Sequence, residues 1–301
     1  MSTPNAPVAD EKAASRGNPF RSLNFSGRFW IALVLVVGVI LLGLAGYVYP
    51  TGPGEKVASL YDPPGAGLPL GSDNFGHDVL AVLMAGTRTS LIIGLVAGIV
   101  ATVIGVIVGL VAGYIGGWFE ELLMGATNVV LAIPSIIVLI LISISLPQSS
   151  IWSLAVVIGI TSWPWTARAV RAQASSVATR EHIDVARLSG ARLPGILLRD
   201  VLPYILSYTV MAFVLQVAGA ILAESALSML GLGPSGANSL GIQLHWALAF
   251  QAVGGGAWWA FLPPTIVLTL VSFGFLLLQS SLDEVFNPRL RRGKRKQMKQ
   301  A

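Results

Sequence analysis

The sequence predicts an all-α integral membrane protein with six transmembrane helices, and three observations carry this prediction. Of its 301 residues, 54% are hydrophobic and only 11% are charged, whereas a soluble domain has about 25% charged residues. Several stretches run for about 18 residues or more without a charge, which is the length that a helix needs to cross hydrocarbon. Lipid offers the backbone no hydrogen-bond partner, so such stretches must form helices that satisfy their own backbone groups.

The six spans are expected where the apolar stretches lie. We place them at residues 29–49, 90–113, 122–146, 151–169, 204–230 and 261–282. The first stretch is longer than the apolar core of a signal peptide, which favours an anchor that stays in the protein. Pro263 and Pro264 are expected in the first turn of the last span, where a missing N–H group costs little.

Charges outside the spans predict the orientation. The segment 168–203 carries six arginines against three acids, and the tail after residue 282 carries seven lysines and arginines. The segment 50–86 instead carries one lysine against four acids. Cytoplasmic segments are enriched in Lys and Arg, so both termini and the 168–203 loop should be cytoplasmic. The turn 114–121 falls on the same side with only acidic charges, which weigh little in this rule.

This orientation divides the chain into four parts. Residues 1–28 are polar and contain three prolines, which predicts a mostly disordered cytoplasmic leader. Residues 29–85 hold the first transmembrane helix and an extracytoplasmic segment. Residues 86–285 form the transmembrane domain that includes the cytoplasmic 168–203 loop, and 286–301 form a basic cytoplasmic tail. This tail could bind anionic lipid or simply fix the C-terminus inside.

The residue content excludes several kinds of chemistry. With no cysteine in the chain, it can form no disulfide, thiolate metal site or Cys nucleophile. It contains no G-x-x-x-x-G-K-[ST] phosphate loop. Its basic residues border apolar spans, which favours membrane orientation over nucleic-acid binding. His77 with Asp73 and Asp78 matches no zinc spacing, and we expect an outer-surface helix here, capped by Ser72 or Asp73.

The cytoplasmic segment before the fifth span is the most informative one. Ala186 and Gly190 are four residues apart, and residues at this spacing share one face of a helix. Small side chains there would let another surface approach the backbone, and Arg180, Asp184 and Arg187 would offer charges beside the contact. On spacing alone, a docking helix for a soluble partner and an ordinary amphipathic helix held by its own charges remain equally open.

This segment resembles the "EAA" loop of ABC importer permeases, in which Glu-Ala-Ala is followed by three residues, Gly, nine residues and a short apolar step ending in Leu-Pro. Here residues 184–186 fill the first element and Gly190 fills the second, and the step ends at Pro203 after the expected spacing. The sequence departs from the pattern where Asp and Val replace Glu and Ala, and where Asp200 stands in place of the usual Ile or His.

Four further segments resemble the dipeptide/oligopeptide branch of these permeases, in the family order. LGSDNFGHDVL at 70–80 resembles "LGTDNFGRDVLSR", and GLVAGYIGGW at 109–118 resembles "GLLAGYFGGW". AESALSMLGLG at 223–233 resembles "AEAGLSFLGLG", and residues 283–290 resemble the closing "DALDPRLR". One match would carry little weight, but five in order are typical of a binding-protein-dependent transport inner membrane component.

The resemblance implies a type I ABC importer transmembrane domain, a permease subunit in the plasma (inner) membrane of a prokaryote that forms half of the pathway for small peptides or oligosaccharides. It implies as partners a second homologous permease, one or two ATPase subunits, an extracytoplasmic substrate-binding protein and membrane lipids, and no nucleic acid. ATP and Mg²⁺ would bind to the ATPases, with no cofactor and no catalysis in this chain. The resemblance assigns ATPase coupling to Arg180, Glu181, Asp184, Ala186, Arg187, Gly190 and Pro203.

Glu224, deep in the fifth span, is the intramembrane polar candidate. A carboxylate in a membrane is costly and by default suggests function. It either faces the pathway or pairs with a polar group on another helix, and we favour the second, structural interpretation. Two alternatives to a permease remain. An intramembrane enzyme would need more catalytic groups than this one acid, and a stand-alone secondary carrier usually has more spans or inverted repeats.

Small and aromatic residues predict packing and contact. Three GxxxG steps occur in the second span, formed by Gly94, Gly98, Gly105, Gly109 and Gly113. They predict close packing against a helix of this chain or of a sister permease. Residues 163–165, Trp-Pro-Trp, mark either a kink near the pathway or an interfacial anchor. The outer loop 240–264 contains three tryptophans and a histidine, His245, which we interpret as structural. This aromatic loop does not decide between peptides and oligosaccharides as the substrate, and the sequence assigns no substrate-binding residues.

Overall fold

The computed structural model describes residues 26–146 and 149–286, and the elements found there are helical. The first five helices are α1 (Gly27–Ala45), α2 (Val79–Ile115), α3 (Gly117–Ala132), α4 (Ser135–Ser145) and α5 (Ile151–Ala178). The remaining helices are α6 (Glu181–Leu188), the single turn α7 (Leu193–Gly195), α8 (Leu202–Met229), α9 (Leu240–Ala249) and α10 (Trp258–Phe286), with a π-helical turn, Ile196–Val201, before α8. Only isolated β-bridges occur among the described residues. The predicted all-α fold is confirmed.

Among the described residues, four helices are long and apolar enough to cross a membrane, and the number is five if the bent pair α3 and α4 counts as one span. The remaining expected span, the fourth in chain order, is α5, which has 28 residues but carries Pro164 within it and two arginines, Arg168 and Arg171, in its second half. The bend of 80° between α3 and α4 lies at Ile133 and Pro134. Residues before proline prefer extended backbone, and Ile133 adopts it (φ −92°, ψ 127°).

Helix α2 is the central helix, and its glycines bring two other helices close. A Cβ atom at Gly98 would lie 2.7 Å from Val217 Cγ2 of α8, and one at Gly109 would lie 2.6 Å from the Ala167 carbonyl oxygen of α5. The predicted close packing is confirmed. Its partners are helices of the same chain, which settles a question that the sequence left open.

The N-terminal end of α2 differs from the prediction. The helix begins at Val79, eleven residues before the expected span, because Asp78 caps it by accepting a hydrogen bond from the Leu80 N–H at 2.8 Å. The expected helix capped by Ser72 or Asp73 is wrong. This segment is a turn, in which Asp73 accepts hydrogen bonds from the backbone N–H groups of residues 75 and 77, a local bonding pattern that competes with helix.

Three further boundaries differ from expectation. Helix α5 continues to Ala178, so the connection expected at 168–203 is shorter than predicted. Helix α10 begins at Trp258, which puts Pro263 and Pro264 in its second turn rather than its first. The loop between α8 and α10 contains α9, whose N-cap Ser239 accepts a hydrogen bond from the backbone N–H of Ile242.

Some sequence-based expectations lie outside the described residues. These are the disordered leader up to residue 25 and the basic tail from residue 287 onward.

Candidate functional site

Helix α6 lies between α5 and the π-helical turn, where the sequence predicted a docking helix. Its eight residues begin after Arg180, which has extended backbone at the N-cap. Glu181 and Asp184 lie in its first turn and Arg187 in its last. Acids near the N-terminus and a base near the C-terminus both complement the helix dipole, so the charge order stabilises this short helix.

An apolar side chain on one side of α6 packs this helix against the rest of the protein. Ile183 is fully buried in an apolar cluster formed with α2, α5, the π-helical turn and the start of α8. Ala186 packs against the same cluster and is half-buried. Two apolar side chains on the opposite side are exposed, since Val185 is 62% and Leu188 is 89% accessible, and the charged side chains of Glu181 and Asp184 are exposed beside them.

Gly190 has a different role from the one that its spacing suggested. The helix ends at Leu188, so Ala186 and Gly190 do not share a helical face, and that prediction is wrong. Gly190 adopts φ +77°, its N–H donates to the Arg187 carbonyl, and the next N–H, of Ala191, donates to the Ala186 carbonyl. A glycine in the left-handed region commonly closes a helix in this way, so Gly190 ends α6.

Arg187 joins α6 to the C-terminal end of α2. Its Nε donates a hydrogen bond of 2.9 Å to the Tyr114 hydroxyl, and its guanidinium lies 4.9 Å from the centre of the same ring. Its Nη1 also donates to Asp184 Oδ1 at 3.2 Å. The hydrogen bond to Tyr114 and the nearby Asp184 raise the pKa of Arg187 above its ordinary value, so the guanidinium stays charged.

A second connection runs from α6 to α8. The rings of His182 and Tyr204 stack with centroids 4.6 Å apart, and the Arg180 guanidinium lies 5.3 Å from the Tyr204 ring centre. His182 Nε2 lies 3.4 Å from the carbonyl oxygen of Asp200 in the π-helical turn. Pro203 is exposed in the first turn of α8. Short π-helical turns are frequent at functional sites, and this one lies where α6 meets a transmembrane helix.

Glu224 lies away from α6, on a buried side of α8. It is fully buried, and both carboxyl oxygens accept hydrogen bonds: Oε2 from Ser90 Oγ at 2.9 Å and Oε1 from Ser228 Oγ at 2.6 Å. Ser90 Oγ in turn accepts from the backbone N–H of Leu240 at 3.2 Å. These bonds join α2, α8 and α9 at one point. They support the structural interpretation, in which the carboxyl pairs with polar groups on another helix.

Two further histidines, His77 and His245, lie just before α2 and within α9, respectively. His77 Nδ1 lies 3.2 Å from Asp73 Oδ2. Within 26–146 and 149–286, no group of three or more His, Asp or Glu residues is arranged to hold a metal ion. His245 Nδ1 lies 3.0 Å from the Met229 carbonyl oxygen, a contact that supports its structural interpretation.

Sequence reasoning did not identify Gln216, a polar residue of α8 that faces the proline of α5. Its Nε2 donates to the Ser162 carbonyl at 2.9 Å and to Thr166 Oγ1 at 2.7 Å, on either side of Pro164. It lines an open groove with Trp165, which is 71% exposed. The available signal was an amide in the middle of an apolar span, the same kind of signal that identified Glu224.

Several apolar helices, with an amphipathic helix bound to two of them at one end, give this chain the architecture of a multi-pass membrane protein. The family model for binding-protein-dependent transport system inner membrane components matches residues 105–292. The chain belongs to this family, and it is a permease subunit of an ABC importer.

Curated relatives agree with this assignment. A putative peptide transport system permease protein of Brucella suis is 34% identical over 87% of this chain and 88% of the relative. A putative peptide permease protein of Brucella ovis is 34% identical over 73% of this chain and 72% of the relative. The oligopeptide transport system permease protein OppC of Lactococcus lactis is 31% identical over 73% of this chain and 75% of the relative.

Proposed function

We propose that this chain forms half of the translocation pathway of an ATP-driven peptide importer and that α6 couples it to a separate ATPase. The observation that carries the proposal is the two-sided character of α6. Ile183 is fully buried on one side, whereas Leu188 is 89% exposed on the other. A helix that packs against its own protein on one side and exposes apolar side chains on the other suits a groove on a partner.

The contacts of α6 give a route for movement. A displacement of α6 would pull on α2 through the Arg187–Tyr114 hydrogen bond and on α8 through the His182–Tyr204 stack. Two-state rearrangements of packed elements are the usual way in which a local event becomes a global one. Glu224 would hold α2, α8 and α9 together, so that they move as one body.

The partners follow from what this chain lacks. We propose a second homologous permease beside it, because the groove beside Trp165 is open to one side. One or two ATPase subunits would supply ATP hydrolysis and bind Mg²⁺ on the cytoplasmic side. The arginine-rich connection 168–203 supports this placement of α6 and of both termini. A substrate-binding protein would dock on the opposite, extracytoplasmic side.

The substrate class that we propose is small peptides. The three relatives described above carry peptide or oligopeptide in their names. The aromatic outer segment around α9 suits sugars as well, so oligosaccharides are the alternative outcome of the test. The coupling residues are those that the resemblance indicated, with Gly190 as the terminator of α6 and Ile183 added as its anchor.

Co-purification and ATP hydrolysis test this function. The chain, expressed with the other subunits of its transport system, should retain an ATPase, and a peptide-loaded binding protein should stimulate hydrolysis in proteoliposomes. Deletion of residues 180–190 should abolish ATPase retention and stimulation. Unchanged retention and stimulation after this deletion would refute coupling through α6, and stimulation by oligosaccharides alone would refute the peptide assignment.

A further inference from the structure

An open cleft of about 410 Å³ lies between α3 and α5, and Arg168 lines it with an exposed side chain. Arg168 is 17 residues after the start of α5 and ten before its end. At about 1.5 Å per residue, it is about 26 Å from the start of the helix and about 15 Å from its end. Arg168 is therefore a charge within a long helix, and a charge within a membrane-spanning helix usually faces a polar partner or a water-filled cavity.

Two arginines of α5 contact α3, but only one of them has an acid as its partner. Arg171 forms an ion pair with Glu120. Arg168, one turn earlier, donates from Nη2 to the amide oxygen Oδ1 of Asn128 at 2.6 Å, and it forms no ion pair within the described part of the chain. A guanidinium has five N–H donors, so Arg168 keeps donors for an anion, and carboxylate and phosphate match its geometry best.

The rest of the cleft favours a ligand that carries both charges over a simple anion. Glu121 lines the same cleft with an exposed side chain, and among the described residues it forms no ion pair. It is seven residues, or two turns of α3, from Asn128, the neighbour of Arg168, which is about 10 Å at 1.5 Å per residue. An extended chain of three residues also spans about 10 Å, and a free peptide carries an ammonium group at one end and a carboxylate at the other.

We infer that this cleft is a peptide site in which Arg168 binds the C-terminal carboxylate of the transported peptide and Glu121 faces its ammonium group. The inference rests on the proposed function and deepens it, because it gives the peptide a contact in this chain. Trp165 is three residues before Arg168 and so on the same side of α5, which places the cleft beside the open groove where the second permease is proposed. The phosphate group of an anionic lipid is the competing occupant.

Thiol protection in the detergent-purified, assembled transporter tests this site without the substrate-binding protein. The chain contains no cysteine and Met124 lines the cleft, so Met124→Cys gives this subunit a single thiol there. Trialanine should slow the labelling of this thiol, and trialaninamide, which lacks the carboxylate, should need about fivefold higher concentration, as expected for one exposed charge pair. Arg168→Gln, added to Met124→Cys, should remove this difference. N-acetyltrialanine, which lacks the ammonium group, should also protect less than trialanine, and Glu121→Gln should remove that second difference.

Arg171→Gln is the matched control, because the guanidinium that it removes already has an acid as its partner, so the preference for trialanine over trialaninamide should persist. Equal protection by these two peptides in Met124→Cys alone, or loss of the preference in Arg171→Gln as well, would overturn the inference. Protection by phosphatidylglycerol equal to that by trialanine would assign the site to a lipid and overturn it too.

The thermal midpoint of Arg168→Gln should be unchanged, since glutamine can still donate to Asn128, and a lowered midpoint would make Arg168 structural. Stimulation of ATP hydrolysis by the peptide-loaded binding protein is measured on the same Met124→Cys transporter. Normal stimulation without a preference for trialanine would refute the cleft alone, whereas absent stimulation would refute the proposed function.

Discussion

Helix α6 and helix α8 each depart from the usual rule that apolar side chains are buried and charged ones are exposed. At α6, the apolar side chains of Val185 and Leu188 are exposed. In α8, Glu224 is fully buried and bonded to Ser90 and Ser228. The second arrangement is completed within the chain by two serine hydroxyls. Under the proposed function the first is a contact surface that a partner completes, whereas the second is an internal connection.

Helix α2 links these two regions. Tyr114 near its C-terminal end accepts a hydrogen bond from Arg187 of α6, and Ser90 in its N-terminal half donates one to Glu224. Because its glycines pack against α5 and α8 within van der Waals distance, α2 has little freedom to move alone. Movement imposed at α6 should therefore reach the Glu224 region as a displacement of packed helices.

The largest effect is expected from Leu188→Asp on the exposed side of α6. A charge placed in an apolar contact should lower peptide uptake and peptide-stimulated ATP hydrolysis by about tenfold or more, because docking is lost. The thermal midpoint of the isolated subunit should not change, since the side chain is exposed. Val48→Asp is the matched control, because Val48 is apolar and 85% exposed at the opposite end. Equal losses of uptake and stimulated ATP hydrolysis in the two variants would contradict a specific docking role for α6.

A smaller effect, on stability rather than on coupling, is expected from Glu224→Leu. Loss of the carboxyl leaves Ser90 and Ser228 without their acceptor, which should lower the free energy of unfolding by about 2–3 kcal/mol. Glu224→Gln keeps an acceptor and should cost less. Unfolding in a denaturing detergent titration measures both. A Leu variant as stable as the wild type would contradict the structural role.

The smallest effect is expected from Arg187→Ala, which loosens α6 without removing its contact surface. Exposed charged contacts contribute about 0.2–1 kcal/mol, so stimulated ATP hydrolysis should fall by about two- to fivefold or less. Tyr114→Phe removes only the hydrogen-bond acceptor and should fall between Arg187→Ala and the wild type. If Arg187→Ala were as damaging as Leu188→Asp, Arg187 itself would contact the partner.

Much of the fold could be predicted because the length of an uncharged apolar stretch indicates a membrane span directly. The helix boundaries could not be predicted, since they depend on local hydrogen bonds and on single residues. Asp78 starts α2 early, Pro134 bends the third span, and α9 lies in a loop that has too few charges to show a helical pattern. These features are set by single side chains rather than by composition.

For the candidate site, too, the sequence identified individual residues but not their partners or their backbone conformation. Glu224 was identifiable as a carboxylate in an apolar span, but its partner Ser90 is 134 residues away in sequence, and no spacing rule joins them. Gly190 was mistaken for a small residue on a helical face, because a terminating glycine at position i+4 has the same spacing as a packing glycine. Its positive φ is visible only in the structure.

Site-specific crosslinking of α6 tests the central claim most directly. The chain contains no cysteine, so Leu188→Cys introduces a single thiol on the exposed side of α6. In the assembled transporter, a short bifunctional reagent should join this thiol to an ATPase subunit, and Val48→Cys should give no such product. An assembled complex that retains its ATPase but yields no crosslink from position 188 would contradict the account.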